Sequence, residues 1–178
     1  ELYNVLCYFR DNDMNGNGLT DDEIPMYFLA DSTGYTSIAA SMMMWGIAGK
    51  ASALDSYIQV RDGVCHFIPT TENFHAALKR IGQWYSEGLI WSEAYTATGD
   101  TINAPFKSEV ATMGLYTYNT LPNMPYADQY EYIIPPSCDG YDPCVYYHPG
   151  FMATKNMFFV SSTCENIEIL MHWVDLFY

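Results

Sequence analysis

The sequence predicts an α/β fold, with helices packed around a short mixed sheet. Three observations carry that prediction. Residues Glu72 to Glu87 place apolar side chains at helical spacing, the C-terminal residues do the same, and short alternating runs bounded by Gly and Pro lie between. The chain has 178 residues, of which 49% are apolar and 16% charged, enough to bury one hydrophobic core. No internal repeat or low-complexity tract divides it, so 1–178 reads as a single unit.

Taken in order, Glu1 to Arg10 carry Leu2, Val5, Leu6 and Phe9 on one helical face. An acidic loop at 11–23 follows, and Pro25 interrupts any helix beyond it. Thr36 to Trp45 is helix-compatible and closed by Gly46. Two alternating runs, Ser56 to Val60 and Val64 to Ile68, flank Arg61-Asp62-Gly63 and predict a β-hairpin. The helix from Glu72 has Thr71 as its N-cap and Gly88 as its stop, with Phe74, Ala77, Leu78, Ile81, Trp84 and Tyr85 facing the core. A short helix is expected near Phe106, and strands at Val110 to Leu115, Tyr130 to Ile134 and Met157 to Val160. The last helix is expected behind a Ser162/Glu165 capping box, burying Ile167, Leu170, Met171, Val174 and Phe177.

Net charge is −14, from 21 acidic and 7 basic residues. That balance repels phosphate backbones and anionic bilayers, so neither nucleic acid nor a membrane surface is an expected partner. No apolar run reaches the length of a membrane span. The chain opens with Glu1 already in helical sequence, which implies an N-terminus further upstream. Five cysteines, an odd number, give no disulfide framework and none has CxxC spacing. Cys138 and Cys144 bracket a short loop and are the pair that an oxidising setting would join.

The most specific signal is Asp13-Met14-Asn15-Gly16-Asn17-Gly18-Leu19-Thr20-Asp21-Asp22-Glu23. Calcium takes six to eight oxygens, and a loop supplies them from alternate positions. With Asp13 first, Asn15 is third, Asn17 fifth, Leu19 seventh through its carbonyl and Asp21 ninth; Gly18 sits sixth, where the turn needs a positive φ. Asp22 and Glu23 both remain as the closing carboxylate. A start at Asp11 also places oxygens, but the Asp13 start aligns more side-chain donors. Pro25 shortens any exiting helix, so the loop reads as a structural staple and not a calcium switch.

That loop and the Glu23-Ile24-Pro25 behind it resemble the family 1 extracellular solute-binding proteins of bacterial ABC importers. The order continues through Trp45-Gly46-Ile47, Asp62-Gly63-Val64, Tyr85 to Ile90, Val110 to Gly114, Ile134-Pro135-Pro136 and Ser161 to Asn166. The resemblance implies one lobe of a two-lobed periplasmic-binding-protein-like fold (type II). It further implies a calcium ion held by Asp13, Asn15, Asn17, Leu19, Asp21 and Asp22 or Glu23, and an oligosaccharide handed to a permease. The location implied is the cell surface, behind a lipid anchor. One extra acid departs from the family pattern, since Asp21-Asp22-Glu23 stands where a pair is usual. Aromatic residues at strand ends and Gly-rich loops, Trp45, Tyr116, Tyr118 and Phe151, are the candidates for facing the solute.

Competing readings find less support. Asp139, Asp142, Glu87 and Glu93 are the acids from which a glycosidase pair would have to come, and no spacing singles out two of them. No nucleophile elbow, HExxH or phosphate-binding Gly-Lys motif occurs, and His66, His75, His148 and His172 are isolated. A non-enzymatic protein is therefore expected. The alternative is a calcium-stabilised carbohydrate-binding module, or a piece of a glycoside-active enzyme; such modules are usually β-sandwiches.

Overall fold

A computed structural model describes residues 1–29, 38–47, 58–61, 63–117, 124–144 and 160–175. Contacts divide the chain into two compact units, Glu1–Tyr146 and Tyr147–Tyr178. In the first unit the elements are α1 (Leu2–Asp11), β1 (Ile24–Tyr27), α2 (Ile38–Ser41) running into a 3₁₀ turn at Met42–Trp45, β2 (Ile58–Arg61), β3 (Val64–Phe67), α3 (Glu72–Ser86), α4 (Asp100–Lys107) and β4 (Met113–Tyr116). The second unit carries α5 (Ile167–Asp175). None of the described helices is long and apolar enough to cross a membrane.

The centre of the first unit is β1, a strand that helical or alternating patterns do not reveal. It pairs in parallel with β4, with Ile24 opposite Met113 and Met26 opposite Leu115, and Met26 bridges to Ile90 on the α3 side. Both of its faces are buried. Met26 and Phe28 enter one apolar cluster with Leu6, Trp45, Ile81 and Trp84, while Tyr27 and Leu29 enter another with Met113, Met124 and Tyr126. A strand covered on both sides reads as a continuous apolar run, and Ile24 to Leu29 is one. Pro25 therefore lies inside this strand, as its second residue; it does not merely break a helix.

Close approach fixes one residue of β4. A Cβ added at Gly114 would lie 2.8 Å from the Pro25 carbonyl oxygen and 3.0 Å from the Phe9 ring. Gly114→Ala is expected to push the two strands apart and cost about 1–3 kcal/mol, as overpacking does. Chemical denaturation, read against a Gly82→Ala control whose added Cβ meets nothing within 4 Å, checks it.

Several expected elements appear where the pattern placed them. α1 buries Leu6 but leaves Val5 57% exposed, and α3 buries Ala77, Ile81 and Trp84, leaves Leu78 44% exposed and ends before Gly88. The hairpin forms, with β2 and β3 antiparallel and Gly63 in its turn. Other expectations need correcting. The strand predicted from Val110 begins only at Met113. Tyr130 to Ile134 forms no strand among the described residues, and Tyr132, Ile133 and Ile134 are 69%, 64% and 80% exposed. α5 starts at Ile167, so the Ser162/Glu165 box falls too early to cap it. Of its expected core face, Leu170 and Val174 are half-buried, whereas Ile167 and Met171 are exposed. Phe177 and residues 157–159 of the strand expected over Met157 to Val160 lie outside the described residues, and Val160 is exposed and in no strand.

Candidate functional site: an acidic loop and an apolar cavity

The loop between α1 and β1 folds around Asp13. Its Oδ1 accepts from the backbone N–H of Gly16 at 2.6 Å and Asn17 at 3.2 Å, and its Oδ2 from Gly18 at 2.8 Å. The amide oxygens continue the pattern, Asn15 Oδ1 accepting from Asn17 N at 3.1 Å and Asn17 Oδ1 from Leu19 N at 2.7 Å. Each short polar side chain thus holds the backbone two to five residues on, the geometry of consecutive Asx turns. Gly18 has φ +88°, as the sixth position of such a loop requires. Asp11 belongs elsewhere: both its oxygens accept from the Arg10 guanidinium, at 2.7 and 2.9 Å. That arrangement favours the Asp13 start over the Asp11 start.

Two further carboxylates turn inward from the end of the loop. Glu23 Oε1 accepts from the N–H of Met14 at 2.6 Å and of Asn15 at 3.3 Å. Asp22 Oδ2 accepts from Asn17 Nδ2 at 2.7 Å, and Asn15 Nδ2 reaches Glu23 Oε2 at 3.1 Å. Asp22 Oδ1 is buried with no hydrogen-bond partner, leaving its desolvation uncompensated within the chain. Burial first, then the charges of Asp22 and Asp13, raise the Glu23 carboxyl above its ordinary pKa, although the Met14 and Asn15 N–H groups oppose the rise. Leu19 and Asp21 are exposed and lie at the rim. Among the described residues no three carboxylate, imidazole or thiolate groups stand together as a ready metal cage. The loop's donors are mixed instead: carboxylates, amide oxygens and a backbone carbonyl. Such hard oxygens suit calcium and not a softer metal.

Beside this loop lies a cavity of about 520 Å³. Met14 from the loop, Phe9 from α1, Ser41 at the end of α2, Met113 to Tyr116 of β4, and residues from Gln129 to Pro136 line it. Tyr116, predicted to face a solute, is here, packed edge-on against Phe106 at 5.8 Å and Tyr130 at 5.2 Å. Burial raises its phenol to a pKa of about 12, so it is protonated at neutral pH. Ser41, which no sequence pattern marked, also lines the cavity.

Trp45 is placed differently. It is 0% exposed, donates from Nε1 to Asp139 Oδ2 at 2.9 Å and lies 5.9 Å from the Trp84 ring. Its carbonyl accepts from Asn73 Nδ2 at 3.0 Å. Asp139, held below the usual carboxylate range first by Arg80 and then by the Trp45 indole, ties the 138–144 loop to α3. In this arrangement the indole presents no stacking face to a ligand. Tyr118 and Phe151 lie outside the described residues.

An α/β unit with a parallel strand pair at its centre, flanked by helices and an apolar cavity at a strand end, has the architecture of a lobe of the periplasmic-binding-protein-like proteins. Two solved structures match it and are similar in sequence as well. One is an HMO-binding, ABC-transporter-associated solute-binding protein from Bifidobacterium longum infantis, with a TM-score of 0.67, 28% identity and 80% of this chain covered. The other is the S. pneumoniae ABC-transporter substrate-binding protein FusA in complex with kestose, with a TM-score of 0.58, 27% identity and 70% of this chain covered. The chain spans only 30% and 24% of the lengths of those two proteins. No protein-family model matches the chain, and no curated protein matches it. The resemblance to ABC-importer solute-binding proteins thus rests on fold and sequence together.

Proposed function

We propose that this chain is part of an extracellular solute-binding protein that captures a neutral oligosaccharide for an ABC permease, with a structural calcium ion in the 13–23 loop. The observation that carries the reading is the joint likeness in fold and sequence to two ABC solute-binding proteins, one described as HMO-binding and one as complexed with kestose. The residues support it in kind. Aromatic and methionine side chains line the cavity beside Tyr116, and among the described residues no Lys or Arg lines it, which supports a neutral ligand. The protein does no chemistry on its ligand; it encloses and releases it. Attachment to the outer surface through a lipid anchor belongs to the same proposal.

In the loop, Asp13, Asn15, Asn17, the Leu19 carbonyl and Asp21 supply oxygens. Asp22 is assigned as the closing carboxylate because it keeps a buried oxygen without a donor, whereas Glu23 accepts backbone N–H groups and so holds the loop closed. The ion would supply positive charge among converging acids and would take over from the Asn15 and Asn17 amide nitrogens that now face them.

A thermal-shift panel on the full-length protein tests solute capture. Neutral oligosaccharides, among them kestose, are expected to raise the melting temperature, while acidic sugars and peptides leave it unchanged. A panel in which no saccharide shifts the melt contradicts the proposal.

A further inference from the structure

The sequence holds two Asn-Gly steps, Asn15-Gly16 and Asn17-Gly18, and both lie in the 13–23 loop. A glycine nitrogen has no neighbouring Cβ to hinder it, so it is the backbone nitrogen best able to attack the side-chain amide of a preceding asparagine. At Asn17 the fold equips each partner in that reaction. The nucleophile, the Gly18 N–H, donates to Asp13 Oδ2 at 2.8 Å, within reach of a proton acceptor. The electrophile's oxygen, Asn17 Oδ1, accepts from the Leu19 N–H at 2.7 Å, as an oxyanion would. The departing nitrogen, Nδ2, is held by Asp22 Oδ2 at 2.7 Å. Asn17 and Gly18 are exposed, and a Cβ built on Gly18 meets nothing within 4 Å, so a ring has room to form and water can reach it. Asn15 has the same parts in poorer form. It is half-buried, its Oδ1 accepts from the Asn17 N–H at a longer 3.1 Å, and its Nδ2 is shared between Glu23 Oε2 at 3.1 Å and Asp22 Oδ2 at 3.4 Å.

We infer that Asn17-Gly18 is a self-modification site, at which the folded loop itself promotes deamidation of Asn17 with the Asp13 carboxylate as proton acceptor. The Gly18 nitrogen forms a bond to Asn17 Cγ while its proton passes to Asp13. The Cγ–Nδ2 bond then breaks, the nitrogen takes up that proton and leaves as ammonia, and a succinimide remains. Water opens the ring at either of its carbonyls, giving aspartate or isoaspartate at 17. Nothing is oxidised or reduced, and water is the one co-reactant. Either product replaces the Nδ2 donor to Asp22 with an oxygen, and isoaspartate also lengthens the backbone path by a carbon, which breaks the turn from Asn17 to Leu19. The loop therefore changes in one direction with time. This inference stands apart from solute capture and from any bound calcium.

The test is peptide mapping by mass spectrometry of the full-length protein, incubated at neutral pH in EDTA so that no cation competes for Asp13. A synthetic peptide of residues 11–20 serves as the unfolded reference. Asn17 is expected to convert ~10-fold faster in the folded protein than in the peptide, well under what an optimally aligned proton acceptor supplies. Asn15 is expected to convert more slowly than Asn17. Asp13→Asn keeps an acceptor oxygen at that position but removes the base, and is expected to bring Asn17 down to the peptide rate. Conversion of Asn17 in the folded wild type no faster than in the peptide overturns the inference. So does an unchanged rate in an Asp13→Asn protein that still melts cooperatively. Should that variant not fold, the comparison of wild type with peptide decides alone.

Discussion

Replacing Trp45 with alanine is expected to destabilise the protein by about 3–5 kcal/mol, the range for truncating a fully buried aromatic side chain. The side chain is 0% exposed, lies against Trp84 and gives its indole proton to Asp139. Truncation opens a cavity between the 3₁₀ turn and α3, and it removes one of the two groups that hold Asp139 as a carboxylate. Trp45→Phe keeps most of the ring volume but deletes the hydrogen bond to the Asp139 carboxylate, a loss of about 1.5–3 kcal/mol for a bond to a charged group, plus a smaller packing loss. Denaturant melts of the two variants decide between a core role and a solute-facing one. A Trp45→Ala protein of wild-type stability would place the ring outside the core.

Calcium in the proposed 13–23 site is expected to carry the second large effect. Single-loop extracellular sites bind on the order of 0.1–1 mM. At about 10 mM calcium such a site stabilises the folded protein by about 1.4–2.7 kcal/mol. For a chain of this size the melting temperature then rises by about 3–10 °C over a sample in EDTA. Asp13→Ala is expected to abolish the rise, and to lower the EDTA melt as well, because Asp13 also anchors three backbone N–H groups. The pH dependence has a definite sign. Glu23 has a raised pKa in the folded loop, so the folded state binds more protons than the unfolded one just above the ordinary carboxylate range. Stability from this group is present at low pH and is lost as pH rises through the raised value. Without calcium, acidification toward the raised Glu23 value therefore favours the loop. With calcium the order reverses, because protons compete with the ion for the same oxygens. Melts at two pH values, each with calcium and with EDTA, check both signs; identical curves in calcium and EDTA exclude the site.

Much of this arrangement is legible in the sequence where local rules act alone. The Asx turns of the 13–19 loop follow from alternating Asp and Asn with Gly18 at the tight turn, and α3 follows from its apolar stripe and the glycine behind it. Legibility fails where distant partners decide. β1 hides behind Pro25 because its evidence is burial on both faces, supplied by β4 and Ile90. Tyr130 to Ile134 has strand propensity yet forms no strand, so propensity alone does not make one. Trp45 stands before Gly46 in what reads as an open Gly-rich loop, yet Asn73 and Asp139, far along the chain, draw it inside.

The most direct measurement is calorimetric titration of the full-length, calcium-loaded protein with the neutral saccharide that most raises its melting temperature. Solute capture predicts saturable binding of one saccharide per chain, with negative heat-capacity change as the apolar wall is covered. A cooperatively folded protein that gives no saturable heat with any neutral oligosaccharide contradicts it.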